Sequence, residues 1–160
     1  MIPPNQFMKF VIEPTLDHLA VVEPRMKSLA VSQLLLGTGI MESRLDALKQ
    51  RGGGPALSVF QIEPATFDDT YTRYLGTKPV LLKQINDLLI PAFTPLEQLA
   101  GNPFFACAIA RTKYWMVPEP MPPAGDIQAL AHYWKRYYNT AEGAGNESMF
   151  FDLYFKYVKP

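Results

Sequence analysis

The 160-residue chain has no charge excess, no long apolar run and no pair of cysteines. Its 15 Lys and Arg residues balance 15 Asp and Glu residues and are mixed along the chain, so the basic face that binds nucleic-acid phosphates is missing. The longest uncharged apolar stretch, Ser28 to Met41, has 14 residues, fewer than the ~20 that span a bilayer. Cys107 cannot form an internal disulfide, and one Cys with two distant His residues does not supply a zinc site. We therefore expect no nucleic-acid partner, no membrane insertion, no metal and no cofactor.

The composition predicts a folded single domain over residues 1–160. The chain is 48% hydrophobic and 12% aromatic, which is enough to bury a large core and argues against disorder. Its start, MIPPNQFMKF, lacks the charged, apolar and small-residue regions of a secretory signal, so no signal peptide is expected. Proline is abundant, with 15 residues, but without the repeats of a linker.

Prolines and glycines divide the chain into short helical segments with little strand-like alternation, so the fold is predicted to be mainly α. We expect a first helix capped by Asn5 and running towards Pro14, and a central, nearly all-apolar helix that starts near Ser28 and ends at Glu42. The irregular stretch from residue 43 to 62 contains one candidate short strand or hairpin, at residues 56–60. The other predicted helix starts are at Pro64, Asn102, Asp126 and Asn146.

One carboxylate, Glu42, stands out by its surroundings. Because it follows an apolar helix and precedes a glycine-rich loop, we expect its carboxyl group to be partly desolvated. Desolvation raises a carboxyl pKa, and the negative end of the helix dipole acts in the same direction. Glycosidic bond cleavage needs an acid that is protonated near neutral pH, because the leaving oxygen must receive a proton. The alternative is a solvated or ion-paired glutamate without a catalytic role.

The residues downstream of Glu42 extend this pattern. Glu42-Ser43 is followed by a glycine-rich turn and then by the segment SVFQIEPAT at residues 58–66. The pattern resembles that of soluble lytic transglycosylases and goose-type lysozymes in the lysozyme superfamily, in which a Glu-Ser pair ends a helix and a Gly-x-x-Gln-Ile-x-Pro-x-Thr segment follows. It is similar in particular to a phage-encoded branch with Gly-Gly-Pro-Ala-Leu before the Gln motif and a segment like YWKRYYNT, here residues 133–140, near the C-terminus. The resemblance covers most of residues 34–145 and implies a lysozyme-like fold with a very small β-hairpin region.

The resemblance also implies roles for individual residues. Glu42 corresponds to the general acid that cleaves peptidoglycan between its two amino sugars, and Ser43 to its local support. Gln61 corresponds to a glutamine that lines the cleft, and Tyr138-Asn139 to a Tyr-Asn pair near the acid. The substrate-binding candidates are therefore Ser43, Gln61, Glu63, Tyr138 and Asn139. The chain departs from the pattern at Ser58 and at Arg44, where glycine is expected, and both departures are predicted to add side chains near the cleft.

The number of carboxylates decides between two reactions. In a lytic transglycosylase one glutamate suffices, because the 6-hydroxyl of N-acetylmuramic acid attacks its own anomeric carbon once that glutamate removes its proton. A hydrolase normally needs a second carboxylate about 5 to 9.5 Å from the first. Glu63 is the best placed candidate, and an ion pair with Arg44 or Arg51 is its alternative role. The other candidates are Asp46, Asp68 and Asp69. The one-carboxyl reaction is our first choice.

Other conspicuous residues have simpler explanations. Cys107 lies in an apolar helical run and is expected to be a buried small side chain. His18 and His132 have no catalytic partner at a recognisable spacing, so packing or surface roles are favoured. The glycines at 52–54 are expected to form a tight loop, since no phosphate-binding motif follows them. The aromatic residues at 133–138 are expected either to pack in the core or to stack on sugar rings.

Two hypotheses about function follow. The first is a phage-type enzyme that degrades bacterial peptidoglycan, either as a free lysin or as part of the virion. The second is a lysozyme-like structural virion protein with weak or lost catalysis, which docks onto other phage proteins through its Pro-rich segments at residues 1–4 and 117–123. The absence of a signal peptide fits both, with the protein in the host cytoplasm before release or in the particle.

Overall fold

Two buried helices form the centre of the computed structural model, which describes residues 1–139 and 143–158. Helix α3, Leu29–Ser43, has 12 buried residues out of 15, and α7, Pro103–Trp115, has nine out of 13. A buried hydrogen bond of 2.8 Å joins Thr38 Oγ1 of α3 to the Tyr114 hydroxyl of α7. The described residues form one compact and mainly helical domain around this pair, as the sequence predicted.

The central helix is capped by Ser28, as predicted, and ends at Ser43, one residue beyond the predicted end at Glu42. The Ser28 hydroxyl accepts a hydrogen bond from the Val31 amide, which caps the first turn, and the last turn delivers Glu42. Gly37 lets α9, Glu147–Tyr157, pack closely against α3, because a Cβ atom at this position would overlap the Phe150 ring.

The first helical segment differs from the prediction at its start. Helix α1, Pro4–Phe7, follows Pro3, and Pro4 occupies the first turn, where its missing N–H costs nothing. Asn5 therefore lies inside the helix and does not cap it. A π-helical turn, Met8–Ile12, connects α1 to α2, Glu13–Ala20, so the chain stays helical past Pro14. The wider π turn lets the proline ring sit inside a continuous helical segment.

The remaining helices surround α3 and α7. Pro64 starts α4, Pro64–Phe67, and the caps predicted at Asn102, Asp126 and Asn146 each accept an amide hydrogen bond at the start of a helix. Thr94 and Glu97 form a reciprocal capping box at the start of the helix over Pro95–Gly101. The other helices are α5 (Pro79–Asn86), α6 (Pro95–Gly101) and α8 (Ile127–Trp134), with π-helical turns at Asp68–Tyr74 and Lys135–Asn139 and 3-10 turns at Pro24–Met26, Arg51–Gly53 and Leu75–Thr77.

The short strand or hairpin predicted at residues 56–60 is reduced to a tight turn closed by the antiparallel pair Leu57 and Ile62, and no extended strand forms there. Within the part of the chain that the structure describes, β-pairing is limited to isolated antiparallel bridges of Leu57 with Lys49 and with Ile62. Ser58, immediately after Leu57, has a φ of 69°, so the backbone reverses before a strand can extend. The residue Thr140 of the predicted C-terminal motif lies outside the described residues. No helix among residues 1–139 and 143–158 is both long and apolar enough to cross a bilayer.

Candidate active site

A cleft of about 710 Å³ opens at the C-terminal end of α3. It lies between the end of α3, the irregular segment that follows it, and the end of the π-helical turn after α8. The structure brings together in this one cleft all six residues that the sequence proposed as a site, although they lie up to 97 positions apart (139 − 42). These residues are Glu42, Ser43, Gln61, Glu63, Tyr138 and Asn139.

Glu42 occupies the last turn of α3 and is half-buried. Its Oε1 atom accepts a hydrogen bond of 3.0 Å from the indole Nε1 of Trp134, the last residue of α8. Desolvation raises the pKa of Glu42 above its ordinary value, and the indole N–H and the positive charge of Lys113 oppose this rise in part. The carboxyl group thus combines a raised proton affinity with access to the cleft, which is what a general acid requires.

Strained backbone is concentrated beside this carboxyl group. Four non-glycine residues among those described have a positive φ, namely Arg44, Leu45, Ser58 and Gln61. All four lie in the segment that follows α3, and left-handed backbone costs such residues on the order of 1–3 kcal/mol each. Strain of this kind persists only where the surroundings impose it, and it is common at functional sites. The backbone therefore points to the same region as the carboxyl group.

The two departures from the glycine pattern fall on this strained backbone. Arg44 has a φ of 58° and Ser58 a φ of 69°, a conformation that glycine adopts without a steric penalty. The Arg44 guanidinium turns back onto α3 and donates 2.8 Å hydrogen bonds to the carbonyl oxygens of Ile40 and Met41. It remains on the cleft wall and adds donors for the carbonyl groups at the helix end, of which that of Ile40 also accepts a hydrogen bond from the Arg44 backbone amide.

The sequence predicted that Ser58 adds a side chain near the cleft, and this prediction was wrong. Ser58 is 2% exposed, and its hydroxyl accepts a hydrogen bond of 3.2 Å from the Phe60 amide. The side chain thus stabilises the turn from inside, so it leaves the cleft open.

Ser43 holds the end of α3 against the following segment. Its buried hydroxyl lies 2.8 Å from the carbonyl oxygen of Val59 and 3.3 Å from that of Gly39. This contact fixes the distance between Glu42 and the loop that carries Gln61. The supporting role that the resemblance implied for Ser43 stays a prediction.

Gln61 and Glu63 line the same cleft. Gln61 is held in its turn by two bonds to the Ser58 carbonyl oxygen, one from its backbone amide (3.0 Å) and one from its side-chain Nε2 (2.8 Å). Glu63 is exposed and precedes Pro64 at the start of α4. Among the described residues it forms no ion pair, so the proposed pairing with Arg44 or Arg51 is not seen.

Tyr138 and Asn139 close the cleft from the side of α8. The Tyr138 hydroxyl donates a 2.8 Å hydrogen bond to the Phe60 carbonyl oxygen, which ties the C-terminal segment to the Gln61 loop. Asn139 accepts a bond of 2.8 Å from Lys135 through its Oδ1 atom. Tyr138 is buried and is one of the residues that line the cleft.

The other candidates for a second carboxylate do not reach the cleft. Asp46 pairs with Arg51 (3.1 Å) and with the Met1 amino group (2.9 Å) on the surface. Asp68 and Asp69 lie on the exposed side of their helical turn, where both approach Arg73. Glu63 is therefore the one candidate of the four that lines the cleft with Glu42.

Two residues near Glu42 were not identified as functional from the sequence. Trp134 was expected only to pack in the core or to stack on sugar rings, although its indole N–H donates a hydrogen bond to the Glu42 carboxyl group. Lys113 lines the cleft and was overlooked, since it is one of two cations, with Arg111, in the largely apolar run FFACAIARTKYW. A charged residue on an otherwise buried helix was the available signal for Lys113.

The remaining reactive side chains lie elsewhere. Cys107 is fully buried, as predicted, and burial raises its pKa to about 12, so the thiol stays protonated. His18 lies 2.6 Å from the Gln84 carbonyl oxygen, and His132 contacts Glu147 on the surface. The glycine run forms a tight loop, with positive φ at Gly52 and Gly53. No group of three His, Cys, Asp or Glu residues that could hold a metal ion occurs within the described ranges.

Comparisons with known proteins return no relative. The chain matches no protein-family model, no curated protein and no solved structure.

Proposed function

We propose that the protein is a peptidoglycan-cleaving glycosidase with a lysozyme-like fold, in which Glu42 is the general acid. The observation that carries this proposal is the position of Glu42, a half-buried carboxyl group with a raised pKa on the wall of a 710 Å³ cleft. The cleft is large enough for a few sugar rings, since ligand sites measure about 300–1,000 Å³. The sequence resemblance supplies the substrate class.

The first step uses the protonated form of Glu42. It donates its proton to the oxygen that links N-acetylmuramic acid to N-acetylglucosamine, and the C–O bond breaks with an oxocarbenium-like transition state. The N-acetylglucosamine end leaves with a new hydroxyl group. Glu42 is then a carboxylate, which the Trp134 indole N–H stabilises by its hydrogen bond.

The second step uses the ionised form. We propose that Glu42 removes the proton from the 6-hydroxyl of the muramic acid, whose oxygen attacks the anomeric carbon and closes a 1,6-anhydro ring. No water is consumed and the acid is regenerated. A hydrolase would instead direct water to the anomeric carbon with the help of a second carboxylate, for which Glu63 is the candidate.

The test is digestion of purified cell-wall sacculi, with the released fragments identified by mass spectrometry. We expect Glu42→Gln to lower the rate by about 10²- to 10⁴-fold, the usual contribution of a general acid. Glu119→Gln is the matched control, because Glu119 is an exposed carboxylate outside the cleft lining. Full activity of Glu42→Gln would show that the role is assigned to the wrong residue.

The fragments separate the two reactions. A lytic transglycosylase is supported if the fragments carry anhydro ends, which makes them lighter by one water than hydrolysed fragments, and if the Glu63→Gln variant is active. Hydrated reducing ends, together with an inactive Glu63→Gln variant, support a hydrolase with Glu63 as the second carboxylate. Circular dichroism and thermal melting establish that each variant is folded.

The second candidate function is a structural virion protein. The observation that favours it is the exposed apolar surface, which includes Ile2 in the Pro-rich N-terminal segment and the adjacent rings of Phe151 and Phe155 on α9. Such surfaces are typical of contacts with other proteins. Absence of fragment release by the wild type, with the chain present in purified phage particles, would favour this function. Both candidates place the protein in the particle or in the host cytoplasm before release.

A further inference from the structure

Three cations among the described residues line the cleft, and one of them, Lys113, has neither a role in the proposed mechanism nor an ion-pair partner. Lys113 lies near the C-terminal end of α7 and is one of the residues that line the cleft. Its ammonium group lies 3.0 Å from the Tyr138 carbonyl oxygen, to which it donates, and 3.8 Å from the centre of the Tyr138 ring. These contacts hold the ammonium group in a defined position beside Glu42.

The other two cations that line the cleft are already engaged. Arg44 donates to two carbonyl oxygens at the end of α3, and Arg51 pairs with Asp46. Lys113 differs from both. Within the described ranges, no carboxylate oxygen lies within 4.0 Å of its Nζ atom.

An ammonium group has three N–H donors, and the Tyr138 carbonyl oxygen accepts one of them. Burial lowers the pKa of Lys113 to about 8, so the group is still mostly protonated at neutral pH. Lys113 is half-buried, and a charge removed from water is costly unless opposite charge compensates it. The carboxyl groups of Glu42 and Glu63 act on it from beyond ion-pair distance, so no group in direct contact neutralises it. The position of Lys113 therefore favours an anionic group that enters the cleft with the substrate.

We propose that Lys113 forms an anion subsite that binds a carboxylate of the glycan substrate beside Glu42. The inference rests on the proposed function. N-acetylglucosamine is neutral, whereas muramic acid carries a lactyl carboxyl group, which is either free or linked to a peptide with its own carboxylates. Lys113 thereby makes the cleft select muramic acid over a glycan composed of N-acetylglucosamine alone.

The probe is the disaccharide N-acetylglucosaminyl-N-acetylmuramic acid with a free lactyl carboxylate, compared with its neutral lactyl methylamide. This disaccharide lacks the bond that the proposed reaction cleaves, so equilibrium binding to the wild type can be measured by calorimetry. We expect the carboxylate form to bind about tenfold more tightly, because a hydrogen bond to a charged group is stronger than one to a neutral group. The disaccharide-tetrapeptide and its fully amidated form make the same comparison for peptide carboxylates.

Three variants isolate the charge of Lys113. Lys113→Gln and Lys113→Met should bind the charged and neutral forms equally, whereas Lys113→Arg should keep the preference. Lys83→Gln is the control, because Lys83 is an exposed lysine outside the cleft. Thermal melting shows whether each variant is folded, and the two neutral variants provide the test even if one of them does not fold.

The outcomes separate the source of the carboxylate from the proposal itself. The subsite is supported if the wild type prefers the charged probe and the neutral variants do not. If the disaccharide shows this preference, the carboxylate is that of the lactyl group. If only the disaccharide-tetrapeptide shows it, the carboxylate belongs to the peptide. Equal binding of charged and neutral probes by the wild type, or a preference that survives in Lys113→Gln, overturns the inference. The assay reads no cleavage, so an inactive protein that retains the preference refutes the proposed function and leaves the subsite standing.

Discussion

Replacing Trp134 with phenylalanine should raise the proton affinity of Glu42. The indole Nε1 donates a 3.0 Å hydrogen bond to Glu42 Oε1, and this bond favours the charged carboxylate. Phenylalanine keeps an aromatic ring against Phe150, which lies 5.4 Å away between ring centres, but it has no N–H donor. The carboxyl group would then remain desolvated without its strongest compensating contact.

The size of the effect follows from the bond that is lost. A hydrogen bond to a charged group contributes about 1.5–3 kcal/mol, and about 1.4 kcal/mol corresponds to a tenfold change in an equilibrium constant. Because Glu42 is only half-buried, the lower end applies, and we expect the proton dissociation constant to fall about tenfold. The pKa of Glu42 rises accordingly. If Glu42 is the general acid, the high-pH limb of the activity profile moves upwards with it.

The assay is a nuclear magnetic resonance titration of carbon-13-labelled glutamate side chains, in which Glu42→Gln identifies the Glu42 signal. Trp115→Phe is the matched control, since the Trp115 ring stacks on Arg25 and Arg111 and contributes no hydrogen bond to Glu42. The loss of core volume at residue 134 is expected to cost about 1–3 kcal/mol of unfolding free energy, so the titration is run well below the melting temperature. An unchanged or lowered pKa in Trp134→Phe would falsify the electrostatic account of the site.

Two further predictions concern stability. Gly37→Ala should reduce the free energy of unfolding by about 1–3 kcal/mol, because its Cβ overlaps the Phe150 ring. Gly101→Ala is the control: it has no atom within 4 Å of its Cβ and should be neutral or stabilising by up to about 1 kcal/mol. Equal effects of the two substitutions in urea denaturation would contradict this packing. Glu42→Gln should raise the stability of the protein relative to the wild type, and this gain should be larger at high pH than at low pH. The folded-state pKa of Glu42 is raised, so the wild type loses stability as the pH rises from about 4.5 through that pKa, and the neutral variant does not. Melting temperatures of the two proteins at pH 4 and pH 8 measure this, and a constant difference would contradict it.

Local chemistry explains which parts of the fold were predictable. The caps at Ser28, Asn102, Asp126 and Asn146 were identified because each satisfies amide groups within three residues of itself. Asn5 was misassigned, since Pro3 and Pro4 already define the helix start. The π-helical turns have no residue type of their own and were not predicted.

The candidate site was also predictable only in those features that depend on local sequence. The position of Glu42 after an apolar helix was enough to predict a raised pKa, because burial is a consequence of the helix itself. The hydrogen bond from Trp134 was not predictable, since it joins residues 92 positions apart through the packing of α8 on α3. The same applies to Lys113, whose cleft position depends on how α7 lies beside the turn that carries Tyr138.

The energetic cost of the cleft bears on the choice between an enzyme and a structural protein. Four non-glycine residues with positive φ and one desolvated carboxyl group lie within residues 42–61, and each destabilises the folded state. Glycine at Arg44 and glutamine at Glu42 would remove two of these costs without altering the helices. A protein that only occupies a place in an assembly has no use for a desolvated acid beside an open cleft, whereas an enzyme accepts lower stability in exchange for a reactive group. The concentration of these costs around one carboxyl group therefore favours the enzyme.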